Sequence, residues 1–331
     1  MKDLQPAIRT VPRPTCYVCG TPGEVRYQNL PDHLFGTGGR WRFRQCTNRA
    51  CQLLWLDPMP IEEDIGFLYH TYYTHPDAEY DHLARTTALA LRRMLRTAVD
   101  WGLTLTSIGR ERKRIFMMYL DQAVPGRLLD VGCGDGRRLA EMAKLGWEVI
   151  GQEVDALAAE FARSTYGVNV FVGELASVNG PDCGFDAITV SHVIEHVIAP
   201  SDLLRQCHRL LKPGGKLVVV TPNIWSIGHS EFGASWMGLD PPRHLHVFSP
   251  DALATVARQV GFTHFVIATK AANAQWFAIG SYAIQQNRPY GLGHYPSGLT
   301  HLAALVFQIR AWASAIVNPN SGDECLLIAT K

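Results

Sequence analysis

The sequence predicts a doubly wound α/β protein, and three observations carry that prediction. The first is the run Leu128-Leu129-Asp130-Val131, an apolar strand-like segment followed by glycines at alternate positions, Gly132, Gly134 and Gly136. A helix-like segment from Arg137 to Gly146 comes next, so a strand turns sharply into a helix. The second is the alternation of strand and helix patterns that continues from Gly126 to the C-terminus. The third is the punctuation: Lys212-Pro213-Gly214-Gly215 reads as a helix stop and turn, and Ser249-Pro250-Asp251 as a helix start. Strands are expected near 127–132, 147–153, 168–172, 185–191, 215–221, 263–270 and 324–330, making seven. Helices are expected at 137–146, 156–165, 201–211 and 250–260.

The glycine segment also carries chemistry. A helix that starts at such a turn presents its unpaired N–H groups to a ligand. The spacing is G-x-G-x-G, and Arg137 stands where a dinucleotide fingerprint requires its third glycine. That difference favours S-adenosylmethionine over NAD. The next strand-like run, Trp147–Glu153, ends in a carboxylate 21 residues after Gly132. A carboxylate there can accept hydrogen bonds from both ribose hydroxyls of an adenosine. Asp155 reads as the N-cap of the helix over 156–165.

Bulk composition bounds the rest. The chain has 331 residues, 47% hydrophobic and 18% charged, which suits a globular protein with a full core. A net charge of +1 gives no global electrostatic case for nucleic acid. The N-terminal residues lack an apolar signal region, and uninterrupted apolar runs stay short of the roughly 18 residues of a spanning helix. The expectation is a cytoplasmic protein without a transmembrane segment.

Residues 1–60 form one compositional unit, expected as a small domain. Cys16-Tyr17-Val18-Cys19-Gly20 has the form of a zinc knuckle, and Cys46 and Cys51 follow a strand-like Trp41–Gln45. Two cysteine pairs separated by 26 residues suit a tetrahedral Cys₄ site closing a small zinc ribbon. So short a segment has too little core to fold without a staple. The second pair is spaced C-x4-C rather than C-x2-C, and His33 is an alternative ligand. Four free thiols in an irregular extension are the competing interpretation.

Residues 61–124 are expected to be a helical linker or cap, with Tyr69, Tyr72 and Tyr73 preceding a long helix over about 81–123. Between Arg85 and Arg114 there are eight basic and two acidic residues. A solvated face accounts for that excess; so does a cap that receives a phosphorylated or otherwise acidic substrate. Residues 125–331 form the main domain, with 271–322 inserted before the last strand. In the insertion Leu302, Leu305, Val306, Ile309, Trp312 and Ile316 share one helical face, expected to pack on the core. A lid, a dimer contact or a membrane-surface helix is the alternative.

Two further segments resemble a known family. Phe185–Val197, with His192-Val193-Ile194-Glu195-His196 at its end, resembles the fourth-strand motif of class I S-adenosylmethionine-dependent methyltransferases. Leu210–Gly215 resembles their turn before strand five. With the glycine loop, the match covers about 115–270 and the final strand. The resemblance implies a Rossmann-like sheet of seven strands with the last antiparallel. It implies that Asp130, Gly132, Gly134 and Gly136 hold the methionine part of the cofactor and that Glu153 binds the ribose. Glu174 and Leu175 would flank the adenine, although members commonly carry Asp where this chain has Glu174. Ser191 and His192 would border the reactive methyl. The zinc-knuckle extension resembles one found on sugar C-methyltransferases.

Methyl transfer from a sulfonium needs little covalent help; positioning supplies about 7–11 kcal/mol. Removing the acceptor proton adds about 10²–10⁴-fold. His192, Glu195 and His196 at the cofactor mouth are the candidates, together with His246 in the downstream run Pro242–Phe248. The string H-x-x-E-H also spells an inverted zinc-protease motif, but it follows a strand rather than lying on a helix. Ubiquinone-pathway O-methyltransferases and small-RNA 2′-O-methyltransferases carry E-x-x-E-H here and bind a divalent cation. This chain has His192 in place of the first Glu, with Glu195, His196 and His246 matching.

The expected function is methyl transfer to an oxygen or carbon of a small molecule, a sugar nucleotide or secondary metabolite, with His192 or His246 as a metal-free base. The alternatives are metal-assisted O-methylation of a quinone-like or RNA 2′-OH acceptor, and a non-catalytic S-adenosylmethionine-binding protein. Neutral net charge disfavours RNA.

Overall fold

The computed structural model describes residues 8–69, 102, 104–178, 184–288 and 297–331. The N-terminal part contains β1 (Thr10–Val11), β2 (Gly23–Leu30), β3 (Trp41–Cys46), β4 (Leu54–Leu56), β5 (Met59–Pro60) and the short α1 (Glu62–Ile65). The main domain opens with α2 (Ser107–Phe116), β6 (Arg127–Val131), α3 (Arg137–Lys144), β7 (Glu148–Glu153), α4 (Ala156–Tyr166) and β8 (Asn169–Val172). It continues through β9 (Phe185–Ser191), α5 (Pro200–Leu210), β10 (Leu211–Pro222), α6 (Ile227–Phe232), β11 (His246–Val247) and α7 (Pro250–Val260). It ends with β12 (His264–Lys270), α8 (Ala274–Gln285), α9 (Gly298–Val317) and β13 (Glu324–Thr330).

The main sheet has the order β12-β13-β10-β9-β6-β7-β8. Neighbours from β10 to β8 pair in parallel, while β13 runs antiparallel between β10 and β12. This is the predicted doubly wound sheet. Successive strand residues alternate between two cores, as a pleated sheet covered on both faces requires. Leu129, Ile188, Val219 and Leu327 pack with α5 and α7; Leu128, Ala187, Val218 and Leu326 pack with Ile115 and Met142 on the other side. The expected caps are present: Asp155 accepts from Leu157 N and Ala158 N, and Ser249 accepts from Ala252 N ahead of Pro250. Strand β10 begins earlier than expected, at Leu211, because the Lys212–Gly215 turn is carried as an irregularity in its register with β9.

Sequence and structure differ at three places. Of the expected 81–123 helix, the described portion is α2 and the turns around it; Tyr72, Tyr73 and the basic run Arg85–Arg96 lie outside the described residues. Most of the apolar stripe on α9 faces outward: Leu302, Val306, Ile309 and Ile316 are 50% to 73% exposed, while Leu305 and Trp312 are half-buried, Trp312 against the core, and Ala304, Phe307, Gln308 and Ala311 form the buried face. By length and composition α9 is apolar enough to cross a membrane, so the sequence count of uninterrupted runs missed it, though 28% of its apolar window is buried in the fold. Buried Gln308 anchors it, donating to the Ala271 carbonyl at 2.6 Å and accepting from Gln275 N and Arg112 at 3.0 Å.

The third difference is the boundary at residue 60, which is not a boundary of packing. The ribbon strands β2, β3 and β4 form a four-stranded sheet whose fourth member is β11 from the main domain. One apolar cluster joins Trp41, Phe43, Leu54 and Leu56 of the ribbon to Phe232, Trp236, Leu245, Phe277 and Phe307. Another joins Cys16, Val18 and Leu53 to Phe248, Leu253 and Val256.

A buried charge cluster locks this junction. Arg243, fully buried, donates through both terminal nitrogens to the two Asp32 oxygens at 2.8 Å, and through Nε to Asp240 at 3.0 Å. Phe35 lies under the guanidinium, 4.3 Å from ring centroid to Cζ. Burial alone would raise the Asp32 pKa; the Arg243 hydrogen bonds and charge outweigh it and hold it below the ordinary carboxylate value. That contribution is therefore present at neutral pH and lost as pH falls through the depressed value. Arg243→Met leaves the acids buried without their cation and should cost about 3–5 kcal/mol at neutral pH. Urea unfolding of parent and variant measures the difference, which should narrow on acidification; a loss under about 1 kcal/mol at neutral pH would remove the cluster from its structural role.

Candidate active site

The three glycines of the 130–136 loop have distinct steric duties. A Cβ on Gly132 would meet Val193 at 2.5 Å, and one on Gly136 would meet Ala162 of α4 at 2.5 Å. A Cβ on Gly134 would enter open space, so here the loop backbone faces outward, at φ +55°. Its N–H donates to Glu153 Oε2 at 2.9 Å, while Glu153 Oε1 accepts from Val154 N and Asp155 N at 2.8 and 3.0 Å. Strand-end carboxylate and glycine loop are thus joined before any ligand arrives.

Asp130 is buried beneath the loop. Its Oδ1 accepts from Thr189 Oγ1 at 2.6 Å and Arg138 at 3.3 Å, and its Oδ2 is buried without a hydrogen bond. Arg138 also donates to Ser191 Oγ at 2.9 Å and to the Phe116 carbonyl at 3.0 Å. Sequence reasoning missed Arg138, which looks like an ordinary first-turn residue of a helix. Leu175 is packed in the central core and Glu174 is exposed just before it.

At the end of β9 the backbone is strained. His192 has φ +54°, a region that costs a residue with a side chain about 1–3 kcal/mol. The His192 N–H donates to the Val220 carbonyl at 2.8 Å. The ring sits between two carboxylates, Nδ1 at 3.3 Å from Glu195 Oε1 and Nε2 at 3.0 Å from Glu324 Oε1. Asn273 donates to both Glu324 oxygens, at 3.2 and 3.0 Å. Desolvation lowers the His192 pKa, but the two carboxylates outweigh it and raise it to about 10. The ring keeps 40% of its side-chain surface open, so solvent tempers both effects without reversing the direction. The two carboxylates thus favour the protonated ring.

Three other side chains converge beside it. One ligating atom each from Glu195, His196 and His244 lie within 4.8 Å of one another. His196 Nδ1 is 3.1 Å from the Arg243 carbonyl, and His244 Nδ1 is 2.8 Å from the Gly238 carbonyl. A carbonyl can only accept, so a ring bonded to one donates from Nδ1. The Tyr69 hydroxyl lies 3.0 Å from the same His196 nitrogen. Burial, reinforced by His244, lowers the His196 pKa to about 4, so the ring is neutral. Glu195 is fully buried; against desolvation, His192 pulls its pKa down to about 2. Thr221 Oγ1 donates to Glu195 Oε2 at 2.9 Å, and Oε1 makes no hydrogen bond. Two imidazoles held by carbonyls and a carboxylate held by a hydroxyl form a donor set for a divalent cation.

His246 does not join them. It is buried in β11, opposite Trp55, with its ring 5.5 Å from Tyr17 and 6.1 Å from Phe248, and Nε2 3.3 Å from the Ile198 carbonyl. The histidine brought to the cluster is His244, two residues earlier in the same run. Leu245 N donates to the Glu195 carbonyl at 2.8 Å, which fixes that register.

The four ribbon cysteines converge as the spacing predicts. Cys16 and Cys51 sulfurs lie 3.6 Å apart and Cys19 and Cys46 3.4 Å apart, and all four lie within 4.8 Å of one another. Tetrahedral zinc thiolates sit about 3.8 Å apart, so the donor set fits that ion. The C-x4-C spacing is absorbed by a turn in which Cys51 N and Gln52 N both donate to the Asn48 carbonyl at 3.0 Å, Gln52 lying at φ +51°. His33 is not part of the cluster.

A family profile described as a methyltransferase domain matches residues 105–266. A ubiquinone biosynthesis O-methyltransferase from Cereibacter sphaeroides is 35% identical over 148 residues, 41% of this chain and 59% of the relative. Both matches support a class I S-adenosylmethionine-dependent methyltransferase domain over residues 105–266. Another ubiquinone biosynthesis O-methyltransferase, from Xanthomonas oryzae pv. oryzae, is 39% identical over 103 residues, 29% of this chain and 43% of the relative. The chain thus spans less than two thirds of the length of these curated relatives. A solved S-adenosylmethionine-dependent methyltransferase from Archaeoglobus fulgidus aligns with a TM-score of 0.43 at 19% identity, over 74% of this chain and all of that one. S-adenosylmethionine is the cofactor of the family. The matched segment contains the glycine loop, Glu153, Glu195, His196 and His244, whereas the ribbon and Glu324 lie outside it.

Glu324→Gln removes one of the charges that stabilise the His192 imidazolium. The His192 pKa, followed by NMR titration of its ring nitrogens, should fall by about one unit or more. An unchanged value would mean that Glu324 does not set the protonation of His192.

Proposed function

We propose that this chain transfers the methyl group of S-adenosylmethionine to a hydroxyl oxygen of a small molecule, with a divalent cation held by Glu195, His196 and His244. The observation that carries the reading is the convergence of one ligating atom each from Glu195, His196 and His244 within 4.8 Å. The names of the curated relatives, O-methyltransferases of ubiquinone biosynthesis, support oxygen as the acceptor atom and a phenolic or quinol-like ring as one acceptor class. A sugar nucleotide remains the other. A bound cation at such a site supplies a Lewis acid that lowers the pKa of an acceptor hydroxyl near it. Two imidazoles and one carboxylate favour Zn²⁺ or Mn²⁺ over Mg²⁺.

The chain's own residues do the rest. Glu153, already joined to Gly134, receives the ribose hydroxyls, and the backbone from Gly132 to Gly136 receives the methionine end. Arg138 holds Asp130 and Ser191 in place at the strand ends beneath the reacting methyl. Thr221 aims Glu195, and the Arg243 and Gly238 carbonyls aim the two histidines. In the transfer the acceptor oxygen forms the new C–O bond, and the C–S electron pair leaves on sulfur as a neutral thioether. The hydroxyl proton passes to solvent.

Turnover of a catechol or quinol acceptor tests this reading against the metal-free and non-catalytic ones. Glu195→Gln and His244→Ala should each cut kcat by about 10²-fold or more with S-adenosylmethionine affinity kept, and His246→Ala should cut it far less. Mild chelation should stop turnover, and Mn²⁺ or Zn²⁺ should restore it. Full activity after removal of the ion would return the chemistry to a metal-free route, and cofactor binding without turnover on any acceptor would favour a binding protein.

We further propose a structural zinc on Cys16, Cys19, Cys46 and Cys51. Metal analysis of a His244→Ala variant should give about one zinc, which Cys19→Ser should release together with a large loss of stability. Zinc retained in Cys19→Ser would exclude the site.

A further inference from the structure

A cleft of about 560 Å³ opens between the ribbon and the end of α8, lined by Pro31, Asp32, His33, Arg40, Asn287 and Arg288. None of these residues belongs to the methyl-transfer site. The volume falls within the roughly 300–1,000 Å³ of small-molecule pockets, well above what a single ion fills. Its chemistry is cationic. Arg40 makes one long hydrogen bond, to the Asn29 carbonyl at 3.5 Å, and among the described residues neither Arg40 nor Arg288 forms an ion pair.

Asp32, the acid in the lining, does not neutralise them. Its Oδ1 accepts from Leu34 N, Phe35 N and Arg243, and its Oδ2 from Thr37 N and Arg243. The two arginines come from different elements, Arg40 from the β2–β3 connection and Arg288 from the turn after α8. The Arg40 charge reaches His33, whose pKa is lowered by burial and by that charge, against the opposite pull of Asp32. Asn287 adds an amide donor.

We propose that this cleft binds the diphosphate of an anionic small molecule. One phosphate is satisfied by one guanidinium fork, whereas two forks lining one cleft suit a group with two anionic centres. His33 and Asn287 supply further donors to oxygens between them. The site stands independently of the methyl-transfer reading, because its recognition requires neither cofactor nor cation.

Calorimetry of the full chain with inorganic pyrophosphate at low ionic strength tests it. Saturable one-to-one binding is expected, with orthophosphate weaker. Arg40→Gln/Arg288→Gln should weaken pyrophosphate by about tenfold or more while S-adenosylmethionine affinity stays unchanged as a control of the fold. A nucleoside diphosphate that binds about tenfold tighter than pyrophosphate assigns the anion to a nucleotide, and equal affinity assigns it to a smaller phosphorylated ligand. Absence of saturable pyrophosphate binding, or undiminished binding by the double variant, overturns the proposal.

Discussion

The buried guanidinium of Arg243 is the constraint on which the rest of the site depends. It joins Asp32 of the ribbon to Asp240 of the loop that carries His244. Its own carbonyl accepts from His196, and the next-but-one residue donates to the Glu195 carbonyl. One side chain thus fixes a ribbon, a loop and two of the three groups that meet beside β9. Burying three charges carries a large desolvation penalty, and hydrophobic replacement of such a cluster is often neutral. Its value here is geometric: the planar fork admits one arrangement of the two carboxylates, and with it one register for the chain from 240 to 246.

Environment, not residue type, decides what the histidines do. His192 lies between Glu195 and Glu324, which push its pKa up; burial beside His244 pushes that of His196 down. Two residues on one short loop are driven to opposite charge states by their neighbours. The separation is useful chemically. The neutral ring can ligate a cation, and the charged one compensates the two buried carboxylates that flank it.

The ribbon owes its stability to more than its cysteines. It donates three strands to a sheet completed by β11, and its aromatic residues share a core with α8 and α9. A unit of this size has too little apolar surface to hold itself. The main domain therefore supplies the missing face, and in exchange the ribbon anchors the loop that brings His244 into place.

What the sequence determined by itself was everything encoded between near neighbours. The glycine loop, the Asp155 and Ser249 caps, the strand–helix alternation and the cysteine knuckles are written in near-consecutive residues. Backbone sterics and capping act over a few positions, so they leave a readable spacing. The Glu195-His196 pair was legible for the same reason. The tertiary structure decided the rest. Whether His244 or His246 reaches the cluster depends on the pairing of β11 with a strand almost 200 residues earlier. Glu324 meets His192 across 132 positions, and Arg243 meets Asp32 across 211. The outward stripe of α9 has the same helical period as an inward one. Contacts over such separations have no period and no spacing in the chain, because they are set by which faces the folded sheet brings together.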